Sequence, residues 1–136
     1  MGVLTDVSLI TKEKIMNLTI IEKPKFKIAI VNSQEVLITD VQSALDLMAT
    51  IWYEAGSYRI IINKSAIVEE FFDLKTRLAG EILQKFVNYN VKVAIVGDFT
   101  AYSSKSLRDF IYESNNGKHI FFVADENQGV KKLSID

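Results

Sequence analysis

Val91-Lys92-Val93-Ala94-Ile95-Val96 is the stretch that decides how this chain folds, and Tyr58-Arg59-Ile60-Ile61-Ile62 repeats its character thirty residues earlier. Both are short, rich in β-branched residues and without strict apolar–polar alternation. A strand with one wet face alternates, so these two read as interior strands covered on both sides. Interior strands of that kind belong to parallel sheets, whose crossovers are helices. The sequence between and around them should therefore carry helical periodicity.

It does. Thr39-Asp40-Val41-Gln42 fits a capping box, and the helix it opens should run to about Ala55 and stop at Gly56. Val41, Ala44, Leu45, Met48, Ile51 and Trp52 form one apolar stripe, with Gln42, Ser43, Asp46, Thr50 and Glu54 opposite, so this helix covers a sheet with one face. A second helix is expected over about Glu69 to Asn88 and a third over about Ser104 to Ser114, closed by Asn115-Asn116-Gly117. His119 to Ala124 supplies another strand, and Asp125 followed by Gln128 and Val130-Lys131-Lys132-Leu133 predicts a short last helix. Upstream, Leu18 to Glu22 and Phe26 to Val31 flank Lys23-Pro24-Lys25, which holds the sole proline, and read as a hairpin. The order is ββαβαβαβα. The expected fold is a single α/β domain over residues 16–136, with a mostly parallel five-stranded sheet and an antiparallel edge hairpin strand. Residues 1–15 have mixed periodicity and precede a second methionine, Met16, so they read as an N-terminal extension or arm that folding can spare.

Composition narrows the function classes. With 136 residues, 49% hydrophobic, folding should bury roughly two-thirds of the unfolded surface, enough for a core without disulfide or metal. Sixteen basic side chains against seventeen acidic ones give a net charge of -1, which argues against bulk electrostatic binding of nucleic acid or an anionic membrane. No cysteine and one histidine exclude thiol catalysis and Cys-based zinc sites, and no cofactor motif is present. No apolar run is long enough to span a bilayer and no secretory h-region is visible, so a cytoplasmic location is the expectation.

The stretches Val41-Gln42-Ser43-Ala44-Leu45-Asp46-Leu47-Met48, Glu70-Phe71-Phe72-Asp73-Leu74-Lys75-Thr76, Ala79-Gly80-Glu81-Ile82-Leu83-Gln84-Lys85-Phe86, Val96-Gly97-Asp98-Phe99 and Ser104-Lys105-Ser106-Leu107-Arg108-Asp109-Phe110-Ile111-Tyr112-Glu113-Ser114-Asn115 resemble the bacterial domain-of-unknown-function family 4180. More distantly, the element order and Val93-Ala94-Ile95-Val96-Gly97-Asp98 are similar to STAS-like domains, the anti-sigma-factor antagonists and their lipid-binding-like relatives. That similarity implies a right-handed β/α superhelix and a regulatory role. The antagonists are phosphorylated on a hydroxyl of an Asp-Ser-Ser/Thr-Gly turn. The corresponding stretch here is Val68-Glu69-Glu70-Phe71-Phe72-Asp73, which has no hydroxyl, and Ser65 lies earlier.

In open α/β sheets ligands gather beyond the carboxyl ends of the strands. Those ends are Asn63-Lys64-Ser65, Gly97-Asp98-Phe99-Thr100 and Asp125-Glu126-Asn127. The middle one leads through a hydroxyl-rich loop into Ser104-Lys105-Ser106, which resembles a phosphate-binding loop only superficially, because no glycine precedes Lys105 and the gap from Gly97 is too long. On a continuous second helix Lys75 falls inside the apolar arc of Phe71, Leu78, Ala79 and Ile82, where an ammonium must snorkel out or meet a carboxylate, and Asp98 is its natural partner. Gly80 in mid-helix marks close backbone approach, within the domain or across a homodimer. Glu69, Glu70 and Asp73 read as helix-start charges, His119 as structural, and Tyr102, Tyr112, Phe121 and Phe122 as packing residues. The candidate ligand-binding residues are Lys75, Asp98, Thr100, Ser103, Ser104 and Lys105, with no catalytic residue and no metal ligand assigned. Two functions compete: a non-catalytic module binding a protein partner or small ligand at that edge, and a small anion sensor or enzyme using Lys75, Asp98 and Lys105.

Overall fold

The computed structural model describes residues 3–11 and 14–135. One mixed sheet carries strands β1 (Val3–Thr11), β2 (Lys14–Glu22), β3 (Lys27–Asn32), β4 (Arg59–Asn63), β5 (Lys92–Val96) and β6 (Ile120–Val123), side by side in chain order. β1 and β2 are antiparallel, as are β2 and β3, and the three pairs from β3 to β6 are parallel. The sheet thus has six strands, not five. The extra one is β1, from the segment read as an arm, which pairs with β2 along its whole length from Val3 opposite Glu22 to Thr11 opposite Lys14. The expected hairpin is β2–β3, closed by the Lys23 N–H donating to the Phe26 carbonyl at 2.9 Å.

Four helices complete the domain: α1 (Val41–Ala55), α2 (Leu78–Asn88), α3 (Lys105–Asn115) and α4 (Glu126–Leu133). Parallel neighbours joined in chain order by right-handed crossovers put their helices on one side. The core divides accordingly. Ala29, Val31, Ile60, Ile62, Val93, Ile95, Ile120 and Phe122 meet residues of α1, α2 and α3, such as Leu47, Ile51, Ile82, Phe86 and Leu107. The alternate residues Ile28, Ile30, Ile61, Ala94, Phe121 and Val123 face the other way, onto Val130 and Leu133 of α4. Covering on both faces is why β4 and β5 lack alternation. Gly129 lets α4 lie close, since a Cβ there would sit 3.1 Å from Ile61 Cδ1. At the β6 edge, Asn115 of α3 accepts from the Phe122 N–H at 2.7 Å and donates to the Phe122 carbonyl at 3.1 Å, doing for β6 what a further strand would do.

Two local expectations change. The cap of α1 sits one residue later: Asp40 accepts from Ser43 N at 2.8 Å and Ser43 Oγ accepts from Asp40 N at 3.0 Å, while Gln42 turns forward to Asp46. The helix does end at Gly56, whose φ of 61° is left-handed and suits a residue without Cβ.

The larger change is the second helix, which does not begin at Glu69. Residues 64–76 form three 3-10 turns, Lys64–Ala66, Glu69–Phe72 and Leu74–Thr76, and Arg77 adopts φ 65° before α2 starts at Leu78. Side chains divert the backbone. Asp73 accepts from Lys75 N at 3.2 Å, and Thr76 Oγ1 donates to the carbonyls of Glu70 and Asp73 while accepting from Leu78 N at 3.2 Å. Short polar side chains that satisfy nearby backbone groups compete with a helix in this way. The turns are tied to the sheet by Asn63, which accepts from Ser33 N at 2.9 Å and donates to the Ser33 carbonyl, and by the Ile38–Ile67 bridge.

Candidate functional site

The break changes what Lys75 is. On the 3-10 turn it is exposed, not set in an apolar arc, and its amine makes no ion pair with Asp98. Gly80 is likewise exposed, with open space where a Cβ would stand, so among the described residues no backbone approaches it closely.

Of the other expected residues, Asp98 is satisfied locally: its Oδ1 accepts from Thr100 Oγ1 at 2.6 Å and Thr100 N at 2.9 Å. Those two bonds, with Lys64 adding a smaller attraction, hold the exposed Asp98 carboxyl below the ordinary carboxylate range, slight desolvation opposing. Ser104 is the N-cap of α3, accepting from Leu107 N at 3.2 Å. The Ser103 carbonyl accepts from Arg108 Nη1 at 2.9 Å. Lys105 Nζ pairs with Asp109 at 2.7 Å one turn along the same exposed helix face, an interaction worth roughly 0.3–0.5 kcal/mol.

What the fold does assemble at the carboxyl ends of β4 and β5 is a cleft of about 560 Å³ between the 3-10 turns and the loop leading into α3. Its walls are Glu69, Glu70, Phe72, Asp73, Leu74, Lys75, Tyr102 and Ser104. Lys75 and Ser104 are thus brought together, while Asp98, Thr100, Ser103 and Lys105 stand outside the lining. Strand order never reverses, so the sheet itself offers no switch-point crevice; the broken helix makes this one.

The centre of the site was not among the expected residues. Lys64 follows the last residue of β4, and its amine lies 3.5 Å from Glu69 Oε1, 4.9 Å from the Phe72 ring centre and 5.0 Å from that of Tyr102. Tyr102 donates its hydroxyl to Glu69 Oε2 at 2.7 Å and stacks on Phe72 at 5.5 Å. Glu69 is therefore engaged at both oxygens. Burial works to discharge Lys64, but its hydrogen bond to Tyr102 and the negative charge available on Tyr102 and Glu69 outweigh it, so its pKa rises. Burial raises Tyr102 too, helped by the bond to Glu69 and opposed by Lys64. The signal that could have found Lys64 is positional: Asn63 pairs with Val96, which sets Lys64 beside Gly97, the residue with no side chain to block it.

A group whose folded pKa is raised contributes stability that is complete below its unfolded value and is lost as pH climbs through the folded one. Lys64 and Tyr102 both obey that sign, so their contribution is intact at neutral pH and disappears only in alkali. Tyr102→Phe is expected to remove a phenol that titrates above the ordinary tyrosine value, followed by ultraviolet absorbance. Loss of amplitude confined to the ordinary phenol range would show that Tyr102 is not held.

Among the described residues no group of three or more His, Asp or Glu side chains could hold a metal, and no helix is long and apolar enough to cross a membrane. The single His119 is engaged with Asn90 Oδ1 at 3.2 Å.

The profile of the family described as a domain of unknown function, DUF4180, matches residues 23–133, from the β2–β3 turn to the end of α4. The chain belongs to that family. No curated protein and no solved structure matches it.

Proposed function

We propose that the protein is a binding module, not an enzyme, and that the cleft seats an exposed segment of a protein partner in which an apolar side chain adjoins a lysine or arginine. The observation that carries this reading is the lining. Phe72, Leu74 and Tyr102 give an apolar floor, and around them three carboxylates, Glu69, Glu70 and Asp73, face one amine, Lys75. Glu70 makes no ion pair or side-chain hydrogen bond and is exposed at the rim, available to a cation. Acid–base catalysis needs a group able to exchange protons near neutrality. Here Lys64 and Tyr102 are both shifted to hold their protons, and Glu69 is engaged by both of them. The anion-sensor reading draws less support, since Lys105 is turned to Asp109 and Asp98 to Thr100. The regulatory role and cytoplasmic setting of STAS-like modules fit the same proposal by analogy of fold.

The test is a titration of the labelled full chain with two peptides of equal length, one containing a phenylalanine among lysines and arginines, the other the same residue among glutamates. Amide shifts over Glu69–Lys75 and Tyr102–Ser104 are expected with the basic peptide alone. Glu70→Lys should weaken it roughly tenfold, the worth of one charge-assisted contact. Shifts with the acidic peptide in place of the basic one would restore the anion reading, and no shifts with either would remove the cleft as a docking site.

A further inference from the structure

β1 forms one edge of the sheet, and among the described residues only β2 pairs with it. Its outer row of backbone N–H and C=O groups is a template for one more strand. The opposite edge is guarded, because β6 spans only four residues and Asn115 occupies the N–H and carbonyl of Phe122. β1 has no such guard. It runs nine residues in unbroken register with β2, without bulge, proline or lysine, and Asp6 is its sole charge. Its substantial contacts among the described residues are with β2 alone.

The register shows what fits this edge. Directly opposed residues form one row across all six strands: Phe122, Ile95, Ile62, Val31, Leu18 and Val7. All six are apolar, and the first five are buried. The row stops at Val7, the middle residue of β1, on the open edge. A second copy related by a two-fold axis normal to the sheet brings its own β1 alongside, antiparallel, with each sheet face continued by the same face of the other copy. Side chains alternate, so the faces match only where odd-numbered residues oppose odd-numbered ones and even oppose even. Centring the pair on Asp6 opposes two carboxylates, which is destabilising. Centring it on Ser8 leaves Val3 and Leu4 without partners. Centring it on Val7 uses the whole strand, sets Asp6 against Ser8, Leu4 against Ile10 and Thr5 against Leu9, and carries the apolar row unbroken from one Phe122 to the other.

We propose that β1 is a dimerisation strand, which pairs antiparallel with β1 of a second copy about Val7 and joins two six-stranded sheets into one. The contact is the same patch on both copies, so it closes at two. It uses no residue of the acidic cleft and stands whether or not that cleft takes a peptide.

The test is sedimentation velocity of the full chain over a concentration series, with Ser8→Asp and Ser8→Lys beside the native protein. Within one chain Ser8 stands opposite Asn17, so neither substitution meets an opposed charge there. Across the two-fold axis each faces Asp6. A reversible monomer–dimer equilibrium is expected, weakened roughly tenfold by Ser8→Asp and tightened roughly tenfold by Ser8→Lys, since the axis counts the pair twice. Tightening by Ser8→Lys is a result that damage to the fold does not produce. A chain monomeric at millimolar concentration, an assembly that grows beyond two copies, or a dimer that the two substitutions leave unchanged or move in the same direction would overturn the proposal.

Discussion

Phe72→Ala is expected to cost ~3–5 kcal/mol of folding stability, the usual range for truncating a buried phenylalanine. Phe72 is 3% exposed and belongs to the main core, but its ring is also the centre of an aromatic group. Phe71 meets it edge-on at 4.9 Å, Tyr102 stacks on it at 5.5 Å, Phe99 tilts over it at 6.0 Å, and the Lys64 amine lies over its face. Removing it opens a void under Tyr102 and takes away one of the two rings that stabilise the Lys64 charge. Denaturant unfolding should show the loss as a lower midpoint with an unchanged slope. The cleft should lose its floor in the same step, so the basic peptide should no longer shift Tyr102–Ser104. A loss under about 1 kcal/mol would mean that the 3-10 turns collapse onto the sheet and refill the space, which would take the aromatic group out of the account of the site.

The sheet was legible because its signal is local. Ile60-Ile61-Ile62 and Val93-Ala94-Ile95 cannot alternate if α1–α3 cover one face and α4 the other, and the sequence carries that demand residue by residue. The hairpin, the stop at Gly56 and the Asp125 cap of α4 were legible for the same reason, being decided within four or five residues. β1 was not, because an edge strand is defined by the partner it pairs with, and Val3–Thr11 reads as a strand only once β2 lies beside it.

The site was less legible. Apolar residues from Phe71 to Val87 recur at helical spacing, and that periodicity hides the competition of Asp73 and Thr76 for the backbone. The period won on paper and the side chains won in the fold. Breaking the helix moved Lys75 from an imagined interior to the rim and made a cleft where a continuous helix would have left a smooth face. Of the expected residues Lys75 and Ser104 line that cleft, Ser104 reached from the strand-end rule and Lys75 from the helical arc that the fold does not form. It could not single out Lys64 or Tyr102, because their roles come from contacts with Glu69 across loops that adjoin only when β4 and β5 pair.

Gly97→Ala tests that last contact at its most sensitive point. A Cβ at Gly97 would stand 2.7 Å from Lys64 Cβ and 2.9 Å from Lys64 Cδ, closer than packed carbons tolerate. The clash lies at the root of the lysine, so rotating the amine away does not relieve it; either the Lys64 backbone or the end of β5 must move. Overpacking of this kind costs about 1–3 kcal/mol. The lysine stem is displaced in the process, so its amine should leave Glu69 and the Phe72 and Tyr102 rings, and Tyr102, no longer held down by the lysine charge, should then titrate later. Lys64→Gly removes the opposing Cβ and with it the conflict. The two substitutions should therefore be strongly coupled: Gly97→Ala should be nearly neutral in the Lys64→Gly background, a pattern that only direct contact between the two positions produces. If Gly97→Ala destabilises equally in both backgrounds, the glycine serves the strand end for some other reason, and Lys64 does not need the space it leaves.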